Sequence, residues 1–228
     1  ELQAELERVF RAADACPAYA SIVGAGGNGC VLHYVANTGK ARDGDLVLID
    51  AGAEYRNYAA DITRTFPVNG RYTREQRALH DLVGAAQAAA LACARPGVAF
   101  AALHETVVEV LGEGLLRLGL LKGSLEKCIA GEHYRQFYRH KSGHWLGLDV
   151  HDVGDYRIDG EPRPLEPGMV LTIEPGLYVA ADDKAVHAKW RGIGIRTEDD
   201  VLVTGDGHRV LSDGLARSAD EIEAFMAA

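Results

Sequence analysis

The sequence predicts an α+β fold made of two similar halves. Helical stretches with an apolar face are interspersed with short apolar runs typical of strands, and several of these runs end in an acidic residue. One run recurs: residues 44–52 (GDLVLIDAG) align without gaps on residues 168–176 (GMVLTIEPG), which sets Asp50 against Glu174. Two such halves suggest an internal pseudo-twofold repeat with a site on its axis.

Local signals place the elements of the first half. Apolar residues at helical spacing predict an amphipathic helix over residues 1–13. The glycine-rich residues 24–29 (GAGGNG) lack the spacing of a phosphate-binding loop, so they predict a turn into a strand at residues 30–34. Further strands are predicted over residues 45–50 and 61–66.

Capping signals define the helices of the rest of the chain. Residues 73–76 (TREQ) form a capping box that opens a long helix, which ends at residues 95–97 (RPG). Residues 218–221 (SADE) begin a short C-terminal helix. The remaining predictions are a helix over residues 100–118 and strands near residues 170–174 and 192–203.

The composition excludes several classes of function. The 228 residues are 47% hydrophobic and 25% charged, which is ordinary for a globular enzyme with one large domain. No run of 18 apolar residues is present, so no membrane span is predicted. A net charge of −9 argues against nucleic acid as a partner. The four cysteines form no CxxC pair, which favours unpaired thiols in a reducing cytoplasm.

Four strand-associated carboxylates need a positive partner. They lie at or near the ends of predicted strands among mostly apolar neighbours, where an uncompensated charge is costly. Arg196 could form an ion pair with Glu198, but one arginine cannot neutralise four acids. Two divalent ions can, so the sequence predicts a dinuclear metal site. The acids are Asp50, Asp61, Glu174 and Glu198.

A histidine-rich segment supplies a further ligand. Residues 140–152 (HKSGHWLGLDVHD) hold His140, His144 and His151, and their glycines permit a tight backbone near a site. His144 is the predicted metal ligand of the three. Oxygen ligands with one imidazole suit manganese, with cobalt or zinc as alternatives.

Six motifs together resemble bacterial Xaa-Pro aminopeptidases (aminopeptidase P), in order along nearly the whole chain. The resemblance implies the pita-bread fold over residues 1–228: a curved antiparallel sheet with helices outside and a dimanganese site in its concave face. The motifs are residues 28–34 (NGCVLHY), 45–52 (DLVLIDAG), 61–67 (DITRTFP), 144–152 (HWLGLDVHD), 172–178 (TIEPGLY) and 192–200 (GIGIRTEDD).

The resemblance also implies a role for each metal ligand. Asp50 would bind one metal through both oxygens, and Asp61 and Glu198 would bridge the two metals. His144 and Glu174 would complete the second metal. Glu174 would in addition accept a proton from the attacking water, as a catalytic residue.

The other motif positions would surround the substrate. His151 resembles the histidine that contacts the scissile peptide, and His33 the one that helps hold the developing oxyanion. Both are therefore expected to be catalytic as well as substrate-binding. His140 and Tyr178 would line the proline side of the pocket, and Arg196 would support the bridging glutamate from behind.

The expected substrates are peptides with a free amino terminus and proline in second position, cut to release the first residue. Members of this family carry a separate N-terminal domain before the catalytic one, whereas this chain starts at the catalytic domain. We expect a homo-oligomer for the full-length form.

Three alternatives stay open. A prolidase would use the same ligands but needs a basic group for the free carboxylate after proline. Methionine aminopeptidase shares the fold and fits the flanking motifs less well. A non-catalytic binding module on the same fold would be expected to lose metal ligands, whereas all five are present.

Overall fold

The computed structural model describes residues 1–228, and it combines five α-helices with short strands. The helices are α1 (Leu2–Ala12), α2 (Arg74–Cys93), α3 (Phe100–Arg117), α4 (Leu125–Ala130) and α5 (Ala219–Met226). The strands of three or more residues are β1 (Ile22–Ala25), β2 (Leu46–Ala51), β3 (Ile62–Pro67), β4 (Val170–Ile173), β5 (Gly176–Val179), β6 (Ile193–Arg196), β7 (Asp199–Val203) and β8 (His208–Val210). Two-residue strands pair Cys16–Pro17 with Ala53–Glu54 and Arg157–Ile158 with Glu161–Pro162.

All strand pairs are antiparallel, and the repeated strand is central in the sheet of the first half but at the edge in the second. The strands lie in the orders β1-β2-β3, β8-β7-β4 and β6-β5. The repeated strands are β2 and β4. β2 pairs with β3, which directly follows Asp61, and β4 pairs with β7, which directly follows Glu198. An antiparallel bridge between Thr63 and Glu198 joins the halves. The predicted repeat is therefore present as structure.

Helices α2 and α3 pack together, and α2 lies against β4, β5 and β6. The predicted capping box is formed by Thr73 and Gln76 at the start of α2. The apolar face of α2 carries Leu79, Val83 and Ala86 at helical spacing. These three side chains are fully buried in a core cluster of 30 residues. Removing a side chain such as that of Leu79 would cost about 2–5 kcal/mol through lost burial and a cavity.

Two strand predictions are wrong in detail. Residues 30–34 do not form a strand: the strand lies earlier, at β1, and Gly26–Cys30 form a 3-10 turn. The 3-10 turn brings the backbone of Gly29 close to that of Gly194 in β6. A β-carbon at Gly194 would lie 2.2 Å from the carbonyl oxygen of Gly29. The predicted strand over residues 192–203 is divided into β6 and β7 by Thr197 and Glu198.

Candidate metal centre and peptide site

The acidic strand ends of both halves open into one pocket of about 290 Å³. Every site residue expected from the sequence lines this pocket except Tyr178. The lining residues are Leu32, His33, Asp50, Asp61, His140, Lys141, Gly143, His144, His151, Tyr156, Glu174, Arg196 and Glu198. The fold thus brings together predicted site residues that lie up to 165 positions apart in the chain, from His33 to Glu198.

The tightest ligand cluster consists of Asp61, His144 and Glu198. One ligand atom from each lies within 4.8 Å of the others, which is a spacing that a metal ion can bridge. The Nε2 atom of His144 is 3.3 Å from Oδ2 of Asp61 and 3.7 Å from Oε1 of Glu174. Four of the five predicted ligands therefore converge from separate segments of the chain.

The backbone around His144 explains its orientation. Its Nδ1 atom lies 3.0 Å from the carbonyl oxygen of Trp145, so Nε2 is left facing the acids. The preceding Gly143 permits this approach, because a β-carbon there would lie 2.0 Å from the carbonyl oxygen of Thr172. A larger residue at position 143 would push the histidine segment away from β4.

The electrostatics of the pocket favour cations. Burial raises the pKa of Glu198 well above its usual range, and the neighbouring Asp61 carboxylate raises it further. Burial likewise raises the pKa of Asp50, against the opposing effect of Arg196. Burial lowers the pKa of His144, but the hydrogen bond with Asp61 and the charge of Glu174 outweigh it and the net shift is upward. Bound cations would supply the positive charge that these acids lack.

Tyr19 is a site residue that the sequence did not reveal. Its hydroxyl oxygen lies 2.5 Å from Oδ1 of Asp50 and 2.5 Å from Oδ1 of Asp61. Burial and the adjacent carboxylates raise its pKa, so the phenol stays protonated and can donate to the acids. Tyr19 is 31 and 42 residues away from these partners and belongs to none of the motifs, so no spacing signal pointed to it.

Arg196 does not form the expected ion pair with Glu198. Its Nη2 atom donates to Oδ2 of Asp50 at 2.5 Å, its Nε to Oγ1 of Thr63 at 3.2 Å, and its Nη1 to the hydroxyl of Tyr178 at 2.9 Å. Thr63 in turn donates to Oε2 of Glu198 at 2.5 Å. Arg196 and Glu198 do not share a strand face, because β6 ends at Arg196, and Arg196 reaches Glu198 only through Thr63.

The histidines border the acids on the open side of the pocket. The rings of His144 and His151 meet edge to face, with centroids 4.4 Å apart. His33 is exposed at the rim. The Nδ1 atom of His140 lies 3.4 Å from Oε2 of Glu174. The side chains of His33, His140 and His151 can therefore reach a ligand that enters the pocket.

Tyr178 lies behind the pocket instead of lining it. Only 4% of its surface is exposed, and its hydroxyl contacts Nε2 of His140 at 2.8 Å and Nη1 of Arg196 at 2.9 Å. The expectation that it surrounds the substrate is thus replaced by a role in fixing two residues that do face the pocket.

Comparison with known proteins identifies the family. The model of metallopeptidase family M24 matches residues 1–205. This chain belongs to that family. It is 51% identical over 212 residues to the Xaa-Pro aminopeptidase of Escherichia coli K12, an alignment that covers 93% of this chain and 48% of that protein. The chain spans about half the length of the curated relatives it matches.

Solved structures agree with the family assignment. The Pseudomonas aeruginosa aminopeptidase PepP superposes with a TM-score of 0.98 at 55% identity, over 99% of this chain and 51% of that one. A zinc-substituted E. coli aminopeptidase P in complex with product gives a TM-score of 0.96 at 49% identity, over 99% and 51% of the two chains. The predicted α+β pita-bread fold is confirmed.

None of the helices is both long and apolar enough to cross a membrane.

Proposed function

We propose that this chain is the catalytic domain of an Xaa-Pro aminopeptidase, which releases the first residue of peptides with proline in second position. One observation carries the proposal: four carboxylates and a histidine from both halves of the repeat converge on one pocket beside three further histidines and an arginine. The names of the family relatives support the same reaction.

The donor set fits two divalent cations. Asp50, Asp61, His144, Glu174 and Glu198 would hold the ions, and Asp61, His144 and Glu198 are the tightest group among them. Oxygen-rich ligands with one imidazole favour manganese, with cobalt and zinc as alternatives. When bound, such ions would polarise the scissile carbonyl and lower the pKa of the attacking water.

Proton movement is assigned to Glu174 and the adjacent histidines. The Glu174 carboxylate would receive the proton of the attacking water. Its Oε2 atom lies 3.4 Å from Nδ1 of His140, whose nearer partner is the carbonyl oxygen of Lys141 at 2.7 Å. His151 would donate to the scissile peptide and His33 to the developing oxyanion, where such a donor contributes about 10²–10³ in rate.

The proposed preference for proline depends on the tertiary amide before proline, which has no N–H group. The bond before proline has no N–H, so an enzyme that depends on that donor is disfavoured, whereas a pocket that recognises the ring is not. His140 is the candidate for this recognition, with Tyr178 fixing its ring from behind through a hydrogen bond of 2.8 Å. The acidic cluster would hold the free amino group of the substrate.

Hydrolysis of Arg-Pro-Pro and of Gly-Pro, both with added manganese, tests the proposal against the prolidase alternative. We expect a higher kcat/KM for Arg-Pro-Pro, because kcat/KM reports differential binding of the transition state. Rapid cleavage of Gly-Pro with negligible cleavage of Arg-Pro-Pro would favour a prolidase. Intact peptides in both reactions would favour a binding module.

The setting of the enzyme is also part of the proposal. Four unpaired cysteines are consistent with a reducing cytoplasm. We expect a homo-oligomer in the full-length form. Peptides, and not nucleic acids or membranes, are the proposed partners of this acidic chain, whose net charge is −9.

A further inference from the structure

Arg64 connects the proposed metal ligand Glu198 to the C-terminal part of the chain. Its Nη1 atom donates to the carbonyl oxygen of Glu198 at 2.7 Å and to that of Thr63 at 3.0 Å. Its Nη2 atom donates to Oδ1 of Asp199 at 2.7 Å, and its Nε to the carbonyl oxygen of Ala216 at 2.8 Å. Arg64 does not line the catalytic pocket, so it holds Glu198 from behind.

The backbone of Glu198 depends on these contacts because it lies in the break between β6 and β7. Buried backbone groups need hydrogen-bond partners, and a residue between two strands must find them outside the regular strand pairing. The N–H of Glu198 donates to the carbonyl oxygen of Thr63 at 3.1 Å, and Arg64 supplies a donor to its carbonyl oxygen. With both backbone groups held, the direction in which the carboxylate enters the pocket is fixed at its base.

The Asp199 carboxylate holds the guanidinium of Arg64 in place. Asp199 is fully buried and only 12% of the Arg64 side chain is exposed, so water does not compete for this ion pair. The same carboxylate accepts from Oγ of Ser212 at 2.6 Å and from Nε2 of Gln87 at 3.0 Å. Nε of Arg217 lies 3.3 Å from its Oδ2 atom. A buried carboxylate with this many partners has one fixed orientation.

The C-terminal segment, residues 212–217, supplies three of these contacts although it forms neither helix nor strand. Ser212 and Arg217 contact Asp199, and Ala216 contacts Arg64. None of the residues of the segment lines the catalytic pocket. The segment is therefore packed against the back of the proposed metal centre and takes no part in the chemistry assigned above.

We infer that Arg64 and Asp199, held by Ser212 of the C-terminal segment, form a positioning pair that orients Glu198 for metal binding. The inference rests on the metal centre of the proposed function. It goes beyond that proposal because it makes metal affinity depend on residues that contact neither metal nor substrate. Arg64 acts through the backbone of Glu198, whereas Arg196 reaches its carboxylate through the side chain of Thr63.

Arg64→Lys tests the positioning pair while it keeps a positive charge beside Asp199. A lysine ammonium can stay on Asp199, but it cannot also reproduce the directed donors of the guanidinium to Glu198 and Ala216. We expect manganese affinity, measured by calorimetric titration of metal-free protein, to fall by roughly tenfold. The visible absorption spectrum of the cobalt-saturated protein should also change, because it reports the geometry of the ligands.

Arg77→Lys is the matched control for Arg64→Lys. Arg77 ties α5, and thus the same part of the chain, to α2 through ion pairs with Asp220 and Glu223. Urea unfolding should show reduced stability in both variants. Only Arg64→Lys should change the manganese affinity and the cobalt spectrum, because Arg77 has no contact with the positioning pair.

Ser212→Ala tests the C-terminal segment with both arginines retained. It removes one donor from Asp199, which keeps its other partners, so manganese affinity should fall by only about threefold. Ser218→Ala is its control. The Ser218 hydroxyl accepts from the backbone N–H of Glu221 at the start of α5, so its loss should lower stability and leave the affinity unchanged.

The outcomes separate this inference from the proposed function. Unchanged manganese affinity and cobalt spectrum in Arg64→Lys would overturn the inference and leave the metal centre standing. Equal losses of affinity in Arg64→Lys and Arg77→Lys would also overturn it, because the loss would then follow general stability. If Arg64→Lys does not fold, Ser212→Ala decides, and an affinity equal to that of Ser218→Ala would overturn the inference. If the unmodified protein binds no manganese, the proposed metal centre fails, and this inference fails with it.

Discussion

Arg196→Lys isolates the geometry of the site from its charge. The substitution keeps one positive charge beside Asp50, so the attraction between the acids and bound cations changes little. It removes the planar guanidinium, which donates in three directions to Asp50, Thr63 and Tyr178. Any loss of function then reports the orientation of the carboxylate.

The expected magnitude follows from the bonds that lysine cannot replace. A lysine ammonium that stays on Asp50 loses the contacts to Thr63 and Tyr178. Thr63 still donates to Glu198, and Tyr178 still contacts His140, so neither hydroxyl is left unpaired. Each lost bond then costs about 1 kcal/mol, or about 2 kcal/mol of folding stability in total. Loosening Asp50 should weaken manganese binding by about 10–100-fold.

Calorimetric titration of the metal-free protein with manganese measures the affinity, and urea unfolding measures the stability. Arg191→Lys is the control, since that guanidinium bonds only to backbone carbonyl oxygens of Val186 and Lys184 away from the pocket. If Arg196→Lys bound manganese as tightly as the unmodified protein, the guanidinium would have no positioning role and this reasoning would be refuted.

Further substitutions probe other parts of the site and the core. Tyr19→Phe removes only the hydroxyl shared by two carboxylates, and manganese affinity measured by calorimetry should fall by about tenfold; an unchanged affinity would contradict its role. His144→Ala should lower the bound metal determined by elemental analysis, whereas His151→Ala should retain metal and lose kcat; equal metal loss in both would show that ligand and substrate histidines are wrongly divided. Burial lowers the pKa of His80 to about 4, so the unfolded chain takes up a proton that the folded state excludes, and stability falls between pH 6.5 and 4 by about 3 kcal/mol at most. His80→Leu should flatten this dependence in urea unfolding at several pH values, and an unaltered slope would assign the effect elsewhere.

The four candidate carboxylate ligands could be located from the sequence because each lies at or next to the end of an apolar strand. Asp50 is the penultimate residue of an apolar strand, and Glu174 directly follows the strand that repeats it. The apolar neighbours of both acids indicated a buried site that needs positive charge. The internal repeat then predicted that both halves contribute to one site. Helix boundaries such as the capping box of Thr73 were equally local and were confirmed.

Features that depend on contacts between distant segments could not be predicted. Tyr19 reaches Asp50 and Asp61 because the two-residue pairing of Cys16–Pro17 with Ala53–Glu54 brings its segment beside them. The partner of Arg196 depends on where β6 ends, which local alternation does not define.

Titration of metal-free protein with manganese during Arg-Pro-Pro hydrolysis tests the central claim most directly. The five-ligand centre predicts no cleavage without metal, and a rise to a plateau as two manganese ions bind per chain. Asp61→Asn, which removes a proposed bridge between the ions, should stay far below that plateau. Full hydrolysis by protein shown to be free of metal would contradict the account.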